Sequence, residues 1–413
     1  MMNKRVGIIG GGAAGLFAAC RFKALSAGRD VDVTVIEKNS VPGMKLTLTG
    51  HGRCNITNRK SASELKKGFH EAGNFIYPAL KQFGAEDTML FIERELGLKL
   101  KEEENNRIFP VCDSAVTVRD KILSYISDST RILTGTKVSD ITKDGDLIVA
   151  TDRGEYRFDS VILSCGGSSF TKTGSTGDSY TLAKSLGHTI EEVKAALAPV
   201  RADSSSAGMC RELSGVPVSA GVSVWHNDRK IASCEGEVLF AEFGLTGPAV
   251  MEISREIPAD PREAYIELDL VPSVSDEEFD RQLQTLIDEH ADTKMANLLS
   301  RYVPASVAGE ITSRTGTEGL YAQGFTKENR KKICREMKHL KIGIGAAPDI
   351  DKAYVTRGGV SLREIDRKTM GSKIVPGLYI IGEALDVDGI SGGYNLQACM
   401  SEADLAAKSI LDS

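Results

Sequence analysis

Residues 5–16, Arg5-Val6-Gly7-Ile8-Ile9-Gly10-Gly11-Gly12-Ala13-Ala14-Gly15-Leu16, pass from an apolar run through a glycine turn into a second apolar stripe. Residues 5–9 form a short continuous apolar run, the pattern of a strand buried on both faces of a parallel sheet. The stripe that follows, LFAACRFKALSAG, has helical period and ends at Gly28. Val31-Asp32-Val33-Thr34-Val35-Ile36 reads as a second strand, with Glu37 standing at its end. A lone G-x-G-x-x-G is a weak signal, but strand, glycine turn, helix, strand and acid occur here in order. In that setting Gly10 permits the tight turn, Gly12 lets backbone N–H groups approach a pyrophosphate, and Gly15 lets the helix pack close to the strand. Glu37 is placed to accept hydrogen bonds from a ribose and disfavours a 2′-phosphate, so the expected ligand is FAD or NAD rather than NADP.

Around this unit lies a chain of 413 residues, 41% hydrophobic and 26% charged, with 51 basic and 57 acidic side chains and a net charge of −6. At about 150 residues per domain this makes two or three domains. The balance of apolar and charged residues excludes wholesale disorder. A mildly acidic chain has no general electrostatic pull toward nucleic acid or anionic membrane. Aromatics at 6%, with Trp225 the single tryptophan, argue against a stacking platform for single strands. None of the eight cysteines forms a C-x-x-C pair, so neither a zinc knuckle nor a dithiol redox motif is encoded, and no metal site is read. Without a signal peptide or a run of 18 apolar residues, the expected setting is cytoplasmic, with reduced thiols and no membrane contact.

The chain changes style along its length. Helical patterns cover 61–98 and 114–127, and 131–163 alternates as strands around a turn at Asp144-Gly145-Asp146. The last of these strands runs into Ser164-Cys165-Gly166-Gly167. Residues 199–270 are rich in Val, Ser and Gly with strand-like runs, whereas 275–339 reads as four short helices, the first opened by a capping box from Ser275 to Glu278. From about 352 the α/β style returns, with a strand at 377–381 and a last helix over 396–411. The expected organisation is a nucleotide-binding domain in two parts, 1–195 and 341–413, with a β-barrel-like domain (196–274) and a helical domain (275–340) inserted.

Two further glycine segments, Ser164 to Gly167 and Gly382-Glu383, each follow a strand far from the first motif. A chain that returns to its nucleotide domain after a long excursion suits a ligand contacted from several points, which favours FAD over NAD. Glu383 can accept hydrogen bonds from ribityl or ribose hydroxyls. The run Asp386 to Leu396 opens the final helix, whose N-terminal amides would suit the flavin's electron-accepting edge.

On these residues the chain resembles the BaiN-like family of NAD(P)/FAD-dependent flavoproteins, which includes dehydro-bile-acid reductase and aminoacetone-oxidase-like members. The resemblance is carried by Gly10 to Gly15, Lys45 to Asn58 (KLTLTGHGRCNITN), Gly174 to Asp178, Glu242 to Pro248, Thr369 to Lys373, and Gly382 through Gln397, in order over nearly the whole chain. It implies an α/β fold, a glutathione-reductase-like FAD-binding Rossmann domain carrying the two inserts. It also implies non-covalent FAD contacts at Gly12, Ala13, Ala14, Glu37, Lys38, Lys45, Arg53, Cys54, Asn55, Val138, Gly166, Glu383, Asp388, Gly393, Tyr394, Asn395 and Leu396. The glycine loops themselves add Gly10, Gly15, Gly52, Cys165, Gly382 and Gly392. Cys165 stands where the family has a smaller residue, and 341–350 (KIGIGAAPDI) departs from its pattern.

Within the 45–58 loop, Arg53 offers charge, and Cys54 and His51 are the candidate reactive groups beside the flavin. Each also has a structural reading: a cysteine with no partner for a redox pair, a positioning histidine, an arginine that simply holds the loop. Arg357 could hold an anionic substrate or face solvent, and the basic run 327–341 reads as a solvated helix face. The expected function is FAD-dependent oxidoreduction. NADH or NADPH would act as a transient donor, since no second G-x-G-x-x-G exists, and a small electron-poor molecule would receive the hydride. Oxidation of a small amine or alcohol, modification of RNA, and a flavoprotein without turnover are the alternatives.

Overall fold

The structure is a computed structural model that describes residues 4–26 and 28–413. It divides into two compact units, one built from the segments up to residue 194 and from 354 onward, the other from 195–353.

The first unit is organised by a five-stranded parallel sheet. Its strands are β1 (Lys4–Ile9), β2 (Val31–Ile36), β3 (Thr130–Leu133), β4 (Ser160–Leu163) and β5 (Leu378–Ile380), in the order β5-β4-β1-β2-β3. Val6, Ile8, Val35, Val161, Ile162, Leu163 and Ile380 are all fully buried, as a sheet covered on both faces requires. The register matters more for function than the strand count. Ile9 pairs with both Ile36 and Leu163, and Leu163 pairs with Ile380. The carboxyl ends of four strands are therefore level, and the segments that follow them leave the sheet along one edge. In open α/β sheets this edge is where ligands bind.

Helix α1 (Ala13–Leu25) leaves β1 after the glycine turn, and the long C-terminal helix α2 (Tyr394–Asp412) packs along it. Between them lies a buried ion pair, Arg21 Nε to Asp404 Oδ1 at 2.8 Å, with the guanidinium over the rings of Phe83 and Phe91. Asp404 also accepts from Gln82 and pairs with Lys408, so this carboxylate is fully partnered despite complete burial. Glu402, two residues earlier on α2, is different. It accepts the N–H of Gly382, its other oxygen has no partner among the described residues, and burial pushes its carboxyl up to about 8.

The second unit is a curled six-stranded antiparallel sheet with helices. The strands run in the order Val200–Arg201, Gly244–Thr246, Arg229–Ala241, Pro217–His226, Ala264–Asp269 and Leu340–Gly343. A bridge between Ala202 and Ile344, with N–H bonds from Asp203 to Gly343 O and from Gly345 to Arg201 O, joins the first strand to the last. The sheet thus closes on itself, which removes its free edges. Inward residues such as Val222, Phe240 and Ile266 share one hydrophobic cluster with Phe279, Leu283, Leu298 and Ile311 of the helices. Ser275 caps the first of these helices (Asp276–Glu289), accepting the N–H of Glu278. No helix among the described residues is long and apolar enough to cross a membrane.

Candidate functional site

At the carboxyl edge of the parallel sheet the glycine turn divides its labour as the motif requires. A Cβ at Gly10 would lie 2.6 Å from Ser164 O, and one at Gly15 would lie 2.0 Å from Gly10 O, so both positions are filled by backbone. At Gly12 nothing stands nearer than 4.0 Å. Gly12 is also the N-cap of α1 and has no side-chain cap, which leaves the first-turn amides open to an anion. Glu37, directly after β2 and buried, receives the N–H of Gly11 on one oxygen and that of Asn39 on the other, each at 2.7 Å. Each oxygen keeps a second lone pair for a ribose hydroxyl. An open glycine, an uncapped helix start and a fixed carboxylate are the donor and acceptor set that the adenosine and pyrophosphate of FAD require, so the residues present fit that cofactor.

A second centre of the site is Glu383, just after β5. Its carboxylate receives Lys45 Nζ at 2.7 Å, Ser169 Oγ at 2.9 Å and the N–H of Thr356 at 2.8 Å. Thr356 Oγ1 in turn accepts the N–H of Ser168 at 2.9 Å. Four segments far apart in the chain are tied together here: 43–58, 164–177, 354–358 and 381–396. Lys38, by contrast, is held by Thr176 and Asp178, both at 2.6 Å, and fixes the 174–178 loop beside the Glu37 corner.

The 45–58 loop forms tight 3-10 turns over Leu46–Gly52 and a two-residue strand at Thr57–Asn58. With its amide oriented to satisfy its neighbours, Asn55 accepts the N–H of Gly393 at 3.2 Å and donates to Thr57 O at 3.2 Å. This ties the loop to the start of α2. Gly393 itself sits at φ +97°, and a Cβ there would meet Thr57 O at 2.5 Å, so only glycine allows the approach. Gly392, at φ +101°, precedes it, and Asn395 closes the loop by exchanging hydrogen bonds with the backbone of Gly389 at 2.8 and 2.9 Å. Ala13, Leu46, Cys54 and Leu396 line one apolar cavity, bringing together three positions the resemblance assigns to the flavin.

Arg53 is paired with Glu103 and Asp113 and lies 4.3 Å over the Phe109 ring, so its charge is already matched. Cys54 is buried at φ +66°, and burial pushes its thiol up to about 12, which keeps it protonated and unreactive. Cys165, just past β4, is likewise pushed up to about 12, and its Sγ faces Ile9 O. Gly166 turns at φ +76° beside it. Val138 is buried at the start of the strand Val138–Asp144. Asp388 is buried, and Tyr394 packs on Phe69 with its hydroxyl receiving Lys60. His51 and Gly52 close the tight turn, His51 exposed at φ +57° with its ring against Tyr354. Gly382 accepts no side chain but rests against Ala14 of α1, where a Cβ would come within 2.8 Å of the Ala14 methyl.

Residues 4–409 match the family described as HI0933-like protein Rossmann domain. The chain belongs to the HI0933-like family. It is 30% identical over 98% of both chains to the 3-dehydro-bile acid delta(4,6)-reductase of Clostridium scindens. It is 28% identical, over 98% of its length and 97% of the relative's, to the ribosomal RNA dihydrouridine synthase of Haemophilus influenzae. Among solved structures it shares its fold with the 3-ketosteroid delta1-dehydrogenase of Sterolibacterium denitrificans, at a TM-score of 0.54, 13% identity and full coverage of both chains. This HI0933-like chain is an FAD-dependent oxidoreductase. Ser169 and Thr356, which hold Glu383, and Tyr354, which meets the His51 ring, carry no signal in the sequence that would single them out. Arg357 is the candidate in this stretch by sequence, and it is the neighbouring Thr356 whose N–H bonds Glu383.

Proposed function

We propose that the protein reduces a carbon–carbon double bond conjugated with a carbonyl group in a small planar molecule. NADH or NADPH supplies the electrons. The net change is balanced: NAD(P)H gives up a hydride, which the β-carbon receives, and a proton from solvent reaches the α-carbon. Bound FAD supplies the two-electron hydride chemistry, and everything else falls to the chain. The Gly12 turn and Glu37 hold the dinucleotide end. The Glu383 hub fixes Lys45 and the loop that carries His51, and the α2 N-terminus adds a positive field where negative charge gathers.

The observation that carries this reading is a built dinucleotide site in a chain with one glycine-turn unit only. A nicotinamide donor has no domain of its own, so donor and substrate take turns in one cleft, and ping-pong kinetics follow. The reaction class is supported by the two relatives' names. A delta(4,6)-reductase of a 3-dehydro compound and a dihydrouridine synthase both saturate a double bond conjugated with a carbonyl. Cys54, buried and protonated, and Arg53, matched by two carboxylates, hold the loop in this reading, and His51 is the group placed to move a proton.

A second reading, with uridine in RNA as the conjugated substrate, is favoured by the two dihydrouridine synthases among the relatives. The basic run is less available for it than its sequence suggests: Arg330 pairs with Asp280, Lys332 with Glu328, and Lys338 is buried on Asp269.

The test is the visible spectrum of the protein purified without added cofactor, followed by anaerobic titration with NADH and NADPH. A flavin band bleached by one of them, then restored by 2-cyclohexenone or a 4,6-dien-3-one steroid, is the expected result. Restoration only by unmodified ribosomal RNA selects the second reading. A flavin that neither nucleotide bleaches refutes reduction by NAD(P)H.

A further inference from the structure

Two loops at the Glu383 hub hold non-glycine residues in left-handed backbone: His51 at φ +57° and Cys54 at +66° in one, Phe170 at +54° in the other. For bulky side chains this conformation costs on the order of 1–3 kcal/mol and survives only where the surroundings impose it. Two of these residues direct aromatic rings at one partner. Phe170 meets Tyr354 at 5.2 Å between centroids, nearly perpendicular, and His51 meets it at 6.4 Å and 62°.

Each ring is anchored to the hub by its own segment. Phe170 follows Ser169, whose hydroxyl donates to Glu383, and Tyr354 precedes Thr356, whose N–H does the same. Yet the ring at the centre is not core. Tyr354 is 37% exposed, and its hydroxyl makes no hydrogen bond among the described residues. Val41, Met44 and Leu48, in the stretch that leads from β2 to His51, are also exposed, at 39%, 39% and 42%.

We propose that Tyr354, braced edge-on by Phe170 and His51, is the substrate-recognition residue of this site. Its ring lies along the planar conjugated system, and its hydroxyl donates to the substrate's carbonyl oxygen. This rests on the proposed reduction of a conjugated carbonyl, and it gives a role to a partly exposed phenol whose hydroxyl has no hydrogen-bond partner among the described residues. As hydride reaches the β-carbon that oxygen gains negative charge, so a donor there is worth more in the transition state than in the ground state.

The test uses the FAD-loaded protein and androsta-4,6-diene-3,17-dione as probe, with binding to the oxidised enzyme read from the perturbed flavin spectrum. Y354F keeps the ring and loses the donor, and should raise the probe Kd about 5- to 10-fold, the size of one neutral hydrogen bond. Y354A should raise it further, and F170L should fall between wild type and Y354A. FAD affinity, measured separately on stripped protein, should shift less than twofold in all three. If the trio only fastens loops, FAD affinity and probe affinity fall together in F170L and Y354A while Y354F matches wild type, and the proposal is overturned. It is also overturned if wild-type flavin is reoxidised by the dienone while every variant binds it as tightly as wild type. A wild type that neither binds nor reduces a conjugated ketone removes the functional reading as well as this one.

Discussion

Gly12 and Gly15 belong to one motif, but replacing each with alanine should have opposite consequences. At Gly12 a methyl meets nothing within van der Waals contact, and the backbone, at φ −78° and ψ −170°, is extended and open to any residue. G12A should therefore leave the apoprotein as stable as wild type, or raise stability by up to about 1 kcal/mol through the less flexible unfolded chain. The same methyl stands where the pyrophosphate must come close to the α1 amides. Crowding of one methyl costs about 1–3 kcal/mol, which converts to roughly 5- to 150-fold in FAD Kd. At Gly15 the methyl would sit 2.0 Å from Gly10 O and 2.7 Å from Ser164 Oγ, so α1 must retreat from the sheet. G15A should destabilise the apoprotein by at least the same ~1–3 kcal/mol, read as a lower urea midpoint. The assay pairs urea unfolding of flavin-stripped protein with FAD titration followed by flavin fluorescence. If G12A binds FAD like wild type, the pyrophosphate does not lie at Gly12. If G15A unfolds like wild type, the packing argument is wrong.

Three other outcomes follow from buried groups. D404A leaves the Arg21 guanidinium buried without its carboxylate and should cost about 3–5 kcal/mol in urea unfolding, whereas the apolar pair R21M/D404L should recover most of it; equal losses in both would refute the charge argument. Glu402 is protonated in the fold below about 8 but ionises near its ordinary 4.5 when unfolded, so the folded state binds the extra proton between those values and stability falls as pH rises through that window. E402Q should remove that slope, at most about 1.4 kcal/mol per pH unit, and unfolding curves parallel to wild type from pH 5 to 8 would count against it. Cys112 is exposed and Cys54 buried with a thiol pushed up to about 12, so iodoacetamide at pH 8 should modify Cys112 first, and peptide mapping that finds Cys54 labelled earlier would contradict the assignment.

The β1–turn–α1–β2 unit, the acid at Glu37 and the final helix are legible in the chain order alone, because each is specified within a short contiguous stretch. Apolar period, glycine placement and the hydrogen bonds of a single turn suffice to build them. The antiparallel runs of the second unit were legible for the same reason, since alternation along each strand records which face is buried. The closing bridge from Ala202 to Ile344 was not, because it joins residues on opposite sides of a long stretch of chain.

The functional centre belongs to the second kind. Glu383 meets Lys45, Ser169 and Thr356 only because the ends of β1, β4 and β5 are level in the sheet, and strand order and register leave no periodic trace in the sequence. Arg53 offers a charge to a ligand by its sequence, and tertiary packing brings Glu103 and Asp113 to it from another hairpin. Cys54 carries a nucleophile in its formula, but burial keeps it neutral. The sequence fixes which chemical groups are present and the turns that hold them locally. Which groups share an edge, and which are charged there, is decided by long-range pairing, because desolvation and charge depend on neighbours that chain order does not specify.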